Sequence, residues 1–102
     1  MKAMRWAVAA LLLLCSGAGR AAPLVLQPEP PPGAAACTGC HAVDARTKTA
    51  VPRIHGRSAD DIVAAMAAFR SGSRVATVMD RVAKGFTDDE TRAIAAWFAS
   101  QK

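Results

Sequence analysis

Bulk is what this sequence has least of. It contains no tyrosine, three phenylalanines and two tryptophans in 102 residues, and beyond residue 21 the only aromatic side chains are Phe69, Phe86, Trp97 and Phe98. Much of the remaining apolar share is alanine, which fills little volume. A chain this small gains only a narrow margin from apolar burial. The composition therefore excludes a core built from large side chains alone and implies that something else occupies the middle.

Long apolar runs are missing too. The run "AVAALLLLC" (residues 7–15) is too short to span a bilayer. Lys2 and Arg5 precede it and the small residues of "SGAGRAA" follow it. This order predicts a secretory signal peptide over residues 1–21, with Gly19 and Ala21 at the cleavage positions, and export to the periplasm without stable membrane insertion. Cys15 is not read as a lipid acceptor, because the bulky Leu14 stands where such a cysteine follows a small residue.

A concentrated charge is also lacking. Removing the leader takes away Lys2, Arg5 and Arg20, so thirteen basic residues become ten against eight acidic ones and the formal charge falls from +5 to +2. The remaining cations, such as Arg46, Lys48, Arg53, Arg57, Arg70, Arg74, Arg81 and Lys84, are scattered and not interleaved with aromatics. Nucleic-acid binding has no support in that pattern. Nor is there a G-x-G-x-x-G motif to cradle a dinucleotide.

No segment alternates with the period of a strand, and no repeat is present; the fold class expected is all-α, with about three to five short helices. The proline-rich "PLVLQPEPPPG" (residues 23–33) cannot be helical. Residues 22–33 are accordingly read as an extended tail or linker, and residues 34–102 as the domain. A short helix is expected through "GAAACTGCH", followed by a polar loop. "SADDIVAAMAAFRSG" (residues 58–72) has Ser58 and Asp61 at capping-box spacing, Ile62, Met66 and Phe69 on one face, and Gly72 at the exit. "TDDETRAIAAWFASQK" (residues 87–102) repeats the arrangement with Thr87 and Glu90, then Ile94, Trp97 and Phe98. Between them, "SRVATVMDRVAKG" is ambiguous: Val75, Val78 and Val82 suit a helical stripe or an extended lead-in to a short helix.

After the leader only Cys37 and Cys40 remain of the three cysteines, and His41 follows directly in "CTGCH". Four chemistries compete for this motif. A disulfide this local would constrain little of the unfolded chain. A thiol–disulfide oxidoreductase uses C-x-x-C in a βαβ context, for which no strands are visible. A zinc site would have to gather Cys37, Cys40, His41 and His55, and three adjacent ligands on one ion are sterically awkward. Covalent haem attachment uses C-x-x-C-H as its signature, two thioethers a helical turn apart and the histidine beneath the iron. Such a group would also supply the missing bulk.

For a second axial ligand, methionine raises the reduction potential relative to a second histidine. Met79, 38 residues after His41, is the leading candidate, against a packing role with its neighbouring valines. Met66 sits in a helical core pattern, and His55 is the rival imidazole, with a surface or propionate-contact role as its other reading. An open iron site would instead suit a gas sensor or peroxidase.

"CTGCH", "VPRIHGRSADDIVAAMAAFRSGSR" and "ATVMDRVAKGFTDDETRAIAAWFAS" together resemble class I c-type cytochromes, and more narrowly the monohaem cytochrome subunit of flavocytochrome c sulfide dehydrogenases and cytochrome c4-like domains. The resemblance covers roughly residues 35–100 and implies a helical shell around one covalently attached haem c. It implies thioethers at Cys37 and Cys40, His41 as proximal ligand, Met79 as distal ligand, and the Pro52 carbonyl as acceptor of the histidine Nδ1 hydrogen. Trp97 matches an aromatic that packs across the N-terminal helix. The function implied is single-electron transfer by a non-enzymatic subunit, with a flavoprotein sulfide dehydrogenase or another redox protein as partner. A free-standing electron shuttle is the nearest alternative. Two features depart from the family pattern: Pro30–Pro32 leave little room for a helix ahead of the cysteines, and Ala42 stands where glycine is common.

Overall fold

A computed structural model of the chain describes residues 19, 21–24, 26 and 28–101. The expected leader, apart from residues 19 and 21, lies outside the described residues. Among the described residues there is no strand. Four α-helices follow in order: α1 (Ala34–Thr38), α2 (Ala59–Ser71), α3 (Met79–Val82) and α4 (Asp88–Ser100), with a 3₁₀ turn at Ala83–Gly85 between the last two. This is the all-α architecture expected of a class I cytochrome c fold. No helix among the described residues is long and apolar enough to cross a membrane.

Local chemistry sets the two long helices. Ser58 Oγ accepts from the Asp61 amide at 3.1 Å. Asp61 is one methylene shorter than glutamate, and the reciprocal bond seen at the start of α4 is not recorded here. At α4 the box closes: Thr87 Oγ1 accepts from the Glu90 amide at 3.2 Å, and Glu90 Oε2 accepts from the Thr87 amide at 2.8 Å. Asp88, Asp89 and Glu90 also occupy the positive end of the helix dipole. Removing the hydroxyl with Thr87→Ala should cost about 1 kcal/mol; a lowered thermal midpoint with an unchanged far-UV spectrum is the expected readout.

The ambiguous segment resolves as an irregular stretch over residues 73–78 leading into the single turn α3. Val75 is 98 % exposed, and Val78 and Val82 are exposed as well, so the three valines do not form a buried stripe. Arg70 ties this region to the rest. Its guanidinium donates to Asp88 Oδ1 at 2.5 Å, to the Phe86 carbonyl at 2.9 Å and to the Ala83 carbonyl at 3.4 Å. The end of α2, the 3₁₀ turn and the start of α4 are thereby joined, and the pairing holds the Asp88 carboxyl below its ordinary range.

The core is as sparse as the composition implies. Ala34, Ile62, Ile94, Ala95 and Phe98 form one buried cluster, bordered by Cys37, Ile54, Ala59, Val63, Phe86 and Trp97. Among the described residues Phe98 is the one large side chain that is fully buried. α1 reaches this cluster through Ala34. Just before it, Gly33 has φ +89°, and a Cβ there would lie 2.7 Å from Phe86 Cε1. Only glycine combines that backbone with that approach. Farther back, the Trp97 indole donates to the Pro28 carbonyl at 2.9 Å, which lays this part of the proline-rich segment against α4.

Candidate functional site

The site is built on the end of α1. The Cys40 amide donates to the Cys37 carbonyl at 3.2 Å and the His41 amide to the same carbonyl at 2.9 Å. Cys37, Cys40 and His41 therefore share one turn. Cys37 is half-buried at the border of the core, and Cys40 is exposed; both are free thiols. Burial pushes the Cys37 thiol up. A thiol-redox enzyme needs the opposite shift, toward thiolate, which argues against that reading of the pair.

His41 is buried, and its Nδ1 lies 2.5 Å from the Pro52 carbonyl oxygen. A carbonyl can only accept, so Nδ1 carries the hydrogen, and in the neutral ring Nε2 keeps the lone pair. The imidazole is thus held in the tautomer and ring plane that a metal ligand requires. Pro52 lies in the polar loop that the sequence places between α1 and α2.

His55, the rival imidazole, is buried rather than at the surface. Its ring stands edge-on to Phe98, with centroids 4.8 Å apart and planes at 88°, and meets Trp97 at 6.3 Å. Among the described residues, neither ring nitrogen has a hydrogen-bond partner. Burial, and after it the charges of Arg53 and His41, lower its pKa. The loop folds under the end of α4, which carries His55 into the aromatic pair. No group of three or more His, Cys, Asp or Glu side chains that could hold a metal ion is gathered among the described residues, so Cys37, Cys40, His41 and His55 do not converge as a zinc site.

Met79 is the first residue of α3 and is half-buried; Met66 is half-buried in the middle of α2, one turn after Ile62. The two thioethers differ in setting: Met66 is fixed by a thirteen-residue helix, whereas Met79 opens a four-residue one.

These residues fit a covalently held haem. The paired thiols on one turn match two attachment points, and the neighbouring imidazole is buried with Nδ1 committed and Nε2 free to bind iron. The small core and the exposed Val43, Val78 and Val82 leave apolar surface that a large apolar group could cover.

No family model matches the chain. Over 64 residues, 63 % of this chain, it is 42 % identical to the cytochrome subunit of sulfide dehydrogenase of Chlorobaculum tepidum, of which it covers 58 %. Over 65 residues, 64 % of this chain, it is 32 % identical to cytochrome c-552 of Acidithiobacillus ferridurans, of which it covers 28 %. The match thus spans little more than half of the first relative and less of the second. Likeness to both, on an all-helical frame carrying C-x-x-C-H, supports reading the chain as similar to c-type cytochromes, and to the cytochrome subunit of sulfide dehydrogenase among them.

Proposed function

We propose that this chain is an exported, periplasmic carrier of single electrons holding one haem c, and that it works as the electron-accepting subunit beside a flavoprotein sulfide dehydrogenase. The observation that carries the reading is the Cys37–His41 turn with its buried imidazole donating to Pro52. When bound, haem supplies one-electron chemistry between ferric and ferrous iron. Cys37 and Cys40 would hold it through two thioethers, His41 would ligate through Nε2, and Pro52 would keep the ring oriented.

Met79 is the proposed second ligand. A thioether there, kept in both oxidation states, would limit rearrangement at the metal and exclude small-molecule ligands. That distinguishes a carrier from a sensor or peroxidase. Electron transfer of this kind needs close approach and no substrate pocket, and redox partners dock through small interfaces. Sulfide oxidation itself would belong to the flavoprotein, consistent with the lack of a dinucleotide motif in this sequence.

The test is affinity purification of the full chain, matured with a periplasmic haem-attachment system, from cells that co-express a flavoprotein sulfide dehydrogenase subunit. The expected result is a stoichiometric flavin–haem complex whose haem bands turn ferrous on adding sulfide. Haem protein that emerges alone and is not reduced by sulfide would favour the free-standing shuttle.

A further inference from the structure

We propose that the C-terminal turn of α4 is the positioning device for the His41 imidazole, acting through His55 and Gly56; this rests on His41 being a haem ligand, as proposed above. The carbonyl that orients His41 belongs to Pro52, and residues 51–57 contain no helix or strand to hold it. Something else must fix that oxygen. Three contacts hold the loop to α4: the bond from the Gly56 amide to the Phe98 carbonyl, and the edge-on packing of the His55 ring on Phe98 and on Trp97.

The Gly56 amide donates to the Phe98 carbonyl at 2.9 Å. This satisfies one of the carbonyls that a helix end leaves unpaired. Gly56 has φ +76°, and a Cβ there would lie 3.2 Å from the Gln101 carbonyl oxygen. That left-handed backbone is one that only glycine adopts without strain, and the carbonyl would also have to give way. The His55 ring then stands on Phe98 and Trp97 at the distances given above, in the edge-on geometry that aromatic pairs favour. A turn bond from the Arg57 amide to the Ile54 carbonyl at 3.2 Å closes the loop, and Ile54 packs on the core cluster.

Pro52 is three residues from His55, so the stapled loop leaves its carbonyl little slack. Among the described residues no group pairs the nitrogens of His55, and an unpaired buried polar group is unfavourable. The contact the ring does make is that of an aromatic plate standing edge-on to Phe98. His55 and Gly56 touch neither haem nor partner in this account; they are positioning residues acting through Pro52. Hydrogen bonding from Nδ1 makes an imidazole a stronger donor to ferric iron. Slackening that bond should raise the reduction potential.

The experiment uses the haem-loaded chain and its variants His55→Ala, Gly56→Ala, His55→Phe and Thr87→Ala. Two readouts are needed: the midpoint potential by redox titration and the exchange rate of the His41 ring N–H by NMR. His55→Ala and Gly56→Ala should shift the potential upward and speed the exchange. His55→Phe should leave both at the wild-type value, and Thr87→Ala should lower the thermal midpoint while moving neither. If His55→Ala does not fold, Gly56→Ala carries the test alone. The inference is overturned if the loop variants lose stability yet keep the wild-type potential and exchange rate, or if His55→Phe behaves like His55→Ala. A wild-type chain with no covalent haem overturns the haem reading itself, an outcome distinct from either.

Discussion

The double variant Cys37→Ala, Cys40→Ala is expected to carry no covalently bound pigment and to show little cooperative unfolding. Both effects follow from the same sparse interior. The chain's own buried cluster consists of two alanines, two isoleucines and one phenylalanine. A small domain with so little large apolar surface in its core stands close to the limit of independent stability. Covalent attachment would bind the native state to a large apolar group that cannot dissociate, so the stabilisation would not depend on free ligand concentration. Without the thioethers, loading would become reversible and affinity-limited. Denaturing gel staining for haem should be blank for the variant, and its urea transition should be broad or already past its midpoint without denaturant. A single substitution at either position should leave one thioether and an intermediate yield.

Phe98→Ala is expected to have the largest effect on stability of any single core substitution. Phe98 has 0 % exposure and sits where α1, α2, α4 and the His55 loop meet. Truncating a buried phenylalanine costs about 3–5 kcal/mol, partly from lost transfer free energy and partly from the cavity left behind. Small domains are stable by about 5–15 kcal/mol in total, so the loss takes a large share of the margin. The same change removes the ring against which both His55 and Trp97 stand edge-on, at 4.8 and 4.9 Å. A cooperative urea transition shifted to much lower denaturant is the expected result, with Phe98→Leu falling between variant and wild type. A midpoint within experimental error of wild type would mean that the core lies elsewhere.

Much of the frame is legible in the sequence because it is locally encoded. Ser58 and Thr87 are capping residues with acids in the following turn, and α2 and α4 begin where those residues say they should. The C-x-x-C-H turn is equally local, since two bonds to the Cys37 carbonyl define it. The segment around Met79 was not decidable from pattern. Val75, Val78 and Val82 satisfy a helical period, yet they are exposed, and the helix is only four residues long. Periodicity describes which residues could share a face, not whether a neighbour is there to cover it.

The contacts that sequence reading missed are long-range. Trp97 donating to Pro28 joins residues 69 apart, and no local pattern in a proline-rich stretch predicts an acceptor for an indole. His55 reads as a surface imidazole or propionate contact because it stands close after a proline in the loop segment "VPRIHGR". Its burial is decided by the loop folding under α4. One signal was available: a glycine directly after His55, which is a common site of positive φ, stood in a loop otherwise poor in glycine.

The most direct test of the account is the intact mass of the chain after maturation in a periplasm with haem-attachment machinery, measured after denaturation and extraction with acidified acetone. The account predicts a mass increased by one haem, retained through extraction and assigned by peptide mapping to Cys37 and Cys40. An unmodified mass with both thiols free to alkylation, from cells that attach haem to a control cytochrome, would contradict it.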